Sequence, residues 1–292
     1  MKRRAVAVIA GVAVLATAIG VGIGVLRVSD KLVGGPNGDC TVTVAGHQVD
    51  ISGEQAENAA LIAAIAVRRG LPARAASIAL ATAFQESKLR NIDYGDRDSL
   101  GLFQQRPSQG WGTRAQILDP TYATNRFYDA LVKVRGYENM EITVAAQKVQ
   151  RSAFPTAYAD HEADGRALAS ALTGYSPATF SCDLAGGAPS ADAELTATGL
   201  TPRADVVRKE LLTQFGRLSF AAAPADGRSV NVVVRPTKAG DAKGWALAHW
   251  AVANAARLKI RTVRFDGWIW TAGREGWRND ATSTTVEIDV FR

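Results

Sequence analysis

The stretch Ala81-Thr82-Ala83-Phe84-Gln85-Glu86-Ser87 puts a carboxylate near the end of a helix that the pattern predicts over 72–88, with Pro72 in its first turn. Ala83, Thr82 and Ala79 lie three, four and seven positions before Glu86 and share its face, so small side chains leave a groove beside the carboxyl. The negative end of the helix dipole and partial burial both disfavour the ionised form and push the pKa up. A carboxyl that holds its proton near neutrality can serve as a general acid. Fifteen positions on comes Gly101-Leu102-Phe103-Gln104-Gln105, inside a segment 91–112 whose Gly, Asp, Ser, Gln and Pro content reads as loop. The planar amides of Gln104 and Gln105 match the paired donor and acceptor of an acetamido group, and they can equally bridge loop backbone. Asp93, Asp96 and Asp98 in that loop are candidates for a second carboxylate; the alternative is that they hold the turn or pair with Arg97.

Asp119-Pro120 then opens a helix over about 122–134, Ala145-Ala146-Gln147 falls in another over 141–151, and a last one spans 158–172. This order resembles the soluble lytic transglycosylases and goose-type lysozymes. Those families show a helix ending in Glu-Ser, Gly-Leu-Met-Gln about fifteen residues later, an Asp-Pro-led helix, and Ala-Ala-Tyr-Asn-Ala-Gly. Glu86-Ser87 matches the first motif, and Gly101-Leu102-Phe103-Gln104 matches the second with Phe for Met. Ala145-Ala146 matches the start of the third, where Gln147 and Lys148 replace Tyr and Asn. The resemblance covers about 52–172. It implies a lysozyme-like fold that cleaves the β-1,4 link from N-acetylmuramic acid to N-acetylglucosamine in peptidoglycan. Glu86 would protonate the glycosidic oxygen, with Ser87, Gln104, Gln105, Gln147 and Tyr158 on the substrate side. Gln147 stands where the family has the Tyr that contacts the acid. Tyr158 and Trp111 could stack on sugar rings or pack in the core. In a transglycosylase Glu86 acts as acid and then base; in a hydrolase a second carboxylate, Asp96 or Asp98, would activate water. No cofactor or metal is implied.

The elements that position these residues lie in an exported chain. Met1-Lys2-Arg3-Arg4 precedes an apolar run over 5–26. Its 22 residues make about 33 Å of helix, enough to cross a bilayer core. The basic triplet orients the run by the positive-inside rule, leaving the bulk of the chain extracytoplasmic. The reading is a single-pass anchor at 1–27 followed by a stalk at 28–39; a cleaved signal peptide is the alternative, and both export the chain. In that compartment Cys40 and Cys182, the only two cysteines, are expected to pair.

The fold class expected is therefore multidomain: the transmembrane helix, a mainly α lysozyme-like domain at 40–182, an Ala/Gly/Ser/Thr/Pro linker at 183–200, and a small α+β domain at 201–292. In the first domain, strands are expected only at 41–44 and 48–51. In the second, 229–235, 261–270 and 284–292 read as strands and 245–258 as a helix. Five of the six Trp fall here and suit a dense core better than a sugar platform. Asp226-Gly227-Arg228, the Gly244-Trp245 helix and the closing strand faintly resemble D-Ala-D-Ala carboxypeptidase-like domains. Asn231, Glu287 and Asp289 stand where that family's zinc ligands would be, so the resemblance implies a noncatalytic domain.

Hydrophobic residues at 47% and charged residues at 21% exclude a wholly disordered chain. A net charge of +6 favours polyanions. The expected partners are peptidoglycan strands and, through the N-terminal helix, the membrane; export and the absence of a dense Lys/Arg stripe argue against nucleic acid. The rival reading is a noncatalytic cell-wall scaffold that keeps the lysozyme-like shape.

Overall fold

A computed structural model describes residues 38–151, 156–185 and 194–291. The expected anchor at 1–27, nearly all of the stalk and the middle of the linker lie outside the described residues. Among the described residues no helix is long and apolar enough to cross a membrane.

The first half is built on two Ala-rich helices. Ser52 caps α1 (Gly53–Arg68) in the capping box that its spacing to Gln55 predicts, with both reciprocal hydrogen bonds formed. Gly70 ends that stretch in the left-handed region and Pro72 leads into α2 (Ala73–Ser87). Helices α3 (Arg114–Ile117), α4 (Pro120–Leu131), α5 (Ile142–Gln150) and α6 (Glu162–Leu172) follow, with a 3-10 turn at Ala157–His161 where the sequence suggests one longer helix. Asp119 caps α4 by accepting from the backbone N–H groups of Thr121 and Tyr122. Small residues set the spacing of α2 and α6. A Cβ at Gly165 would lie 2.8 Å from the carbonyl oxygen of Ser77 and 2.9 Å from the nitrogen of Ala81. Only glycine lets the two backbones meet there.

A three-stranded sheet flanks these helices in the order β2-β1-β3, with β1 at Asp39–Val44, β2 at His47–Ser52 and β3 at Phe180–Asp183. Ala45-Gly46, both in the left-handed region, make the β1–β2 turn. The sequence reading lacks β3, whose four residues offer too short a pattern. Cys40 opposes Cys182 in the β1–β3 register, and the two form a disulfide.

The second half starts with α7 (Pro202–Phe215), capped by Thr201 and not anticipated from the sequence. A six-stranded antiparallel sheet follows in the order β4-β5-β9-β6-β7-β8. Its strands are β4 (Ser219–Phe220), β5 (Ser229–Val233), β6 (Ile260–Phe265), β7 (Trp268–Thr271), β8 (Trp277–Asn279) and β9 (Thr285–Val290). The expected single strand at 261–270 is a hairpin, because Asp266-Gly267 both take left-handed φ and turn the chain. Helix α8 (Lys238–Ala253) begins before the expected 245, capped by Thr237, and Asn254 separates it from a short turn of helix, α9 (Ala255–Leu258). Gly240 and Gly244 mask its early turns in the sequence. Gly244 is required by packing, since a Cβ there would sit 2.1 Å from the Phe265 ring.

The halves at 40–182 and 201–292 share one buried core. Trp245, Trp250 and Trp270 are wholly buried in it. Trp277 donates to the carbonyl of Phe180 at 2.8 Å and Trp270 to the hydroxyl of Ser181 at 3.2 Å, tying the second half to β3. Arg257 bridges Glu57 of α1 and Glu210 of α7.

Candidate active site

Helix α2 ends at Ser87 because Lys88 and Leu89 both adopt left-handed φ, 56° and 58°. That conformation costs non-glycine residues about 1–3 kcal/mol each and persists only where the surroundings enforce it. The enforcement is local. Leu89 is wholly buried, its N–H bonds the carbonyl of Ala83, and its carbonyl accepts from Asn58 of α1. Glu86 is thereby held in the last helical turn, half-buried.

Among the described residues, two groups reach its carboxylate. Tyr158 donates its hydroxyl to Oε1 at 2.6 Å, and Gln150 donates Nε2 to the same oxygen at 3.2 Å. No ion pair to Glu86 occurs among the described residues. Burial raises its pKa above the ordinary carboxylate value of 4.5, and the hydrogen bonds from Tyr158 and Gln150 pull against it without reversing it. The side chain is thus biased to hold its proton and is still reachable from solvent.

The residues expected on the substrate side divide. Ser87 is buried, its Oγ 2.8 Å from the carbonyl oxygen of Leu102 and 3.1 Å from that of Ala83. It ties the end of α2 to the Gly101–Gln105 turn, so its hydroxyl is engaged with backbone. Gln105 is 1% exposed, exchanges backbone hydrogen bonds with Leu100 and donates Nε2 to the carbonyl of Ala123. It belongs to the frame of the loop and does not meet an acetamido group. Gln104 is half-buried in the left-handed region, φ 45°, with Nε2 3.3 Å from the carbonyl oxygens of Tyr94 and Gly101. Gly95 makes room for it: a Cβ there would fall 1.9 Å from the amide oxygen of Gln104.

Gln147 is half-buried on α5, but Gln150, one turn further on the same helix, carries the amide that bonds Glu86. The same Nε2 lies 2.6 Å from the carbonyl oxygen of Phe103, so Gln150 couples α5 to both the acid and the turn. Sequence reasoning missed it, although its spacing of three from Gln147 was a usable signal. Tyr158 is 1% exposed and cannot stack on a sugar; its role is the bond to Glu86.

Neither candidate second carboxylate is tied to Glu86. Asp98 accepts from the backbone N–H and the hydroxyl of Ser108 and from Nε of Arg106, which hold its carboxyl well below the usual range. Asp96 is exposed, 3.9 Å from Arg97. Asp98 closes a turn of the loop, and Asp93 lies 3.8 Å from Arg114 of α3.

Gln150 also lines a groove of about 550 Å³ with Trp111, Arg126, Lys133, Lys148 and Arg151. Of the two aromatics considered for stacking, Trp111 is the one on an accessible wall. Arg126 steadies it by donating to the carbonyls of Trp111 and Gly110.

In the second half Asn231 opposes Glu287 across β5 and β9, and Asp289 is bonded by Arg261 and by the hydroxyl of Ser229. His249 is fully buried in α8. Residues 196–288 match the family model described as the VldE C-terminal domain. That match overlies the region whose sequence faintly resembles D-Ala-D-Ala carboxypeptidase-like domains. No curated protein matches the chain.

Proposed function

We propose that this chain cleaves the β-1,4 bond between N-acetylmuramic acid and N-acetylglucosamine in peptidoglycan, with Glu86 as general acid and then base. The observation that carries the reading is a half-buried carboxyl with raised pKa and no cationic partner among the described residues, whose hydrogen-bond partner Gln150 also lines a groove. Glu86 protonates the glycosidic oxygen as the C1–O bond breaks. The carboxylate that remains is stabilised by the Tyr158 hydroxyl and the Gln150 amide. It then takes the proton of the muramyl 6-hydroxyl while that oxygen bonds C1. The product is a 1,6-anhydro ring, and Glu86 regains its proton.

One group serves both steps, which suits a site where Asp98 is engaged by Arg106 and Ser108 and no bond joins Asp96 to Glu86 among the described residues. A hydrolytic outcome needs a second carboxylate across the sugar ring. The Cys40–Cys182 disulfide supports action in an oxidising compartment, outside the cytoplasm, on strands reached from a membrane anchor at 1–27.

The test is mass analysis of sacculi treated with purified protein. Anhydro-muropeptides are expected, and Glu86→Gln should lower their yield by at least about 10²–10⁴-fold. Reducing ends would mark a hydrolase. Silence from wild type and variant alike would leave a noncatalytic wall-binding scaffold.

A further inference from the structure

The groove at Gln150 is unusually one-sided in charge. Arg126 and Lys133 come from α4 and the turn after it, and Lys148 and Arg151 from α5 and its C-terminal cap. Among the described residues the lone acid on its wall is Asp129, and Arg69, the C-cap of α1, already holds that carboxylate at 2.8 Å. Lys133, Lys148 and Arg151 are exposed and make no ion pair among the described residues. Four cations thus surround a space of a size that admits a disaccharide with substituents, with one indole on the wall. An uncharged glycan leaves those cations unanswered; a ligand bearing carboxylates answers them. Gln150 connects the two places, because it lines this groove and its amide bonds Glu86.

We infer that this groove is a subsite for the carboxylates of the peptide stems on the glycan strand, so that the site prefers peptide-bearing strands to bare ones. The inference rests on the proposed function for its choice of ligand. It assigns recognition of charge to Arg126, Lys133, Lys148 and Arg151, apart from the chemistry at Glu86.

Binding is measured with the full chain carrying Glu86→Gln, which holds strands without cutting them. Three probes are compared at low and moderate salt: peptide-bearing strands, the same strands after their carboxylates are converted to amides, and an N-acetylglucosamine hexamer. Amidation is expected to weaken binding about tenfold or more and to flatten its salt dependence. Adding Lys148→Gln and Arg151→Gln should produce the same loss on native strands and little change on amidated ones. Both positions are exposed, so an unchanged melting temperature certifies the fold. Equal affinity for native and amidated strands overturns the inference. So does tight binding that follows phosphate-bearing wall polymers attached to the strands instead of their peptides. If wild type cuts nothing yet these binding differences hold, the catalytic reading fails and the subsite stands; cleavage with indifferent binding is the reverse.

Discussion

Tyr158 donates its hydroxyl to Oε1 of Glu86 at 2.6 Å, from 72 positions further along the chain. The bond pulls the pKa of Glu86 down while burial pushes it up, so Tyr158 sets how far the acid strays from an ordinary carboxylate. Tyr158→Phe removes the downward pull and keeps the ring. The pH–rate profile on sacculi should move its basic limb to higher pH, and the rate at its optimum should fall about tenfold. An unmoved basic limb would show that the hydroxyl does not tune the acid.

Glu86 is also expected to cost stability. Its pKa is raised in the fold above 4.5, so between those values the folded chain binds more protons than the unfolded one. Stability therefore falls as pH rises through that window and stays lower above it. Glu86→Gln keeps an acceptor for Tyr158 and has no charge to bury. It should melt above wild type at pH 7–8 and lose that advantage below pH 4.5. A lower melting temperature at pH 7 would contradict a desolvated carboxylate.

Ser87 separates a structural part from a binding one. Its single proton can satisfy one carbonyl at a time, and the shorter contact is to Leu102. Ser87→Ala should cost about 1–2 kcal/mol of stability in urea unfolding. KM for peptidoglycan should stay near wild type. A large KM change with little loss of stability would return Ser87 to the substrate side.

His249 gives the fold an acid limit. Its Nδ1 lies 2.8 Å from the carbonyl oxygen of Ala171, so Nδ1 carries the proton and Nε2 is a bare acceptor, buried without a partner among the described residues. Burial is the main cause that pushes its pKa from 6.5 to about 4. The unfolded chain takes up the proton first, so stability is full above pH 6.5 and declines between 6.5 and about 4, by about 3 kcal/mol. His249→Phe should flatten this part of the stability–pH curve measured by thermal melting. A slope equal to wild type would assign the acid sensitivity to other groups.

What the sequence disclosed follows the range of the forces involved. The Ser52–Gln55 box, the Asp119 cap and the position of Glu86 in the last turn of α2 depend on neighbours within four residues, and all were readable. The partners of Glu86 were not. Tyr158 sits in a 3-10 turn and Gln150 at the end of a nine-residue helix, and tertiary packing alone brings them to the carboxylate. Gln104 and Gln105 show a different difficulty. An amide offers the same donor and acceptor to a ligand or to loop backbone, and one residue of register buries Gln105 while leaving Gln104 half-buried. Strand β3 was hidden by its length, and the start of α8 by two glycines, one of which Phe265 requires.

The Cys40–Cys182 bond joins strands that already lie side by side, with Asp39 opposite Asp183. A pull applied along the chain at Asp39 is therefore handed across a single covalent link to the residues after Asp183. The 141 residues between the cysteines, Glu86 among them, lie off that covalent path. Mechanical load on the two flanks would leave the geometry of the acid undisturbed until the sulfur bridge is reduced.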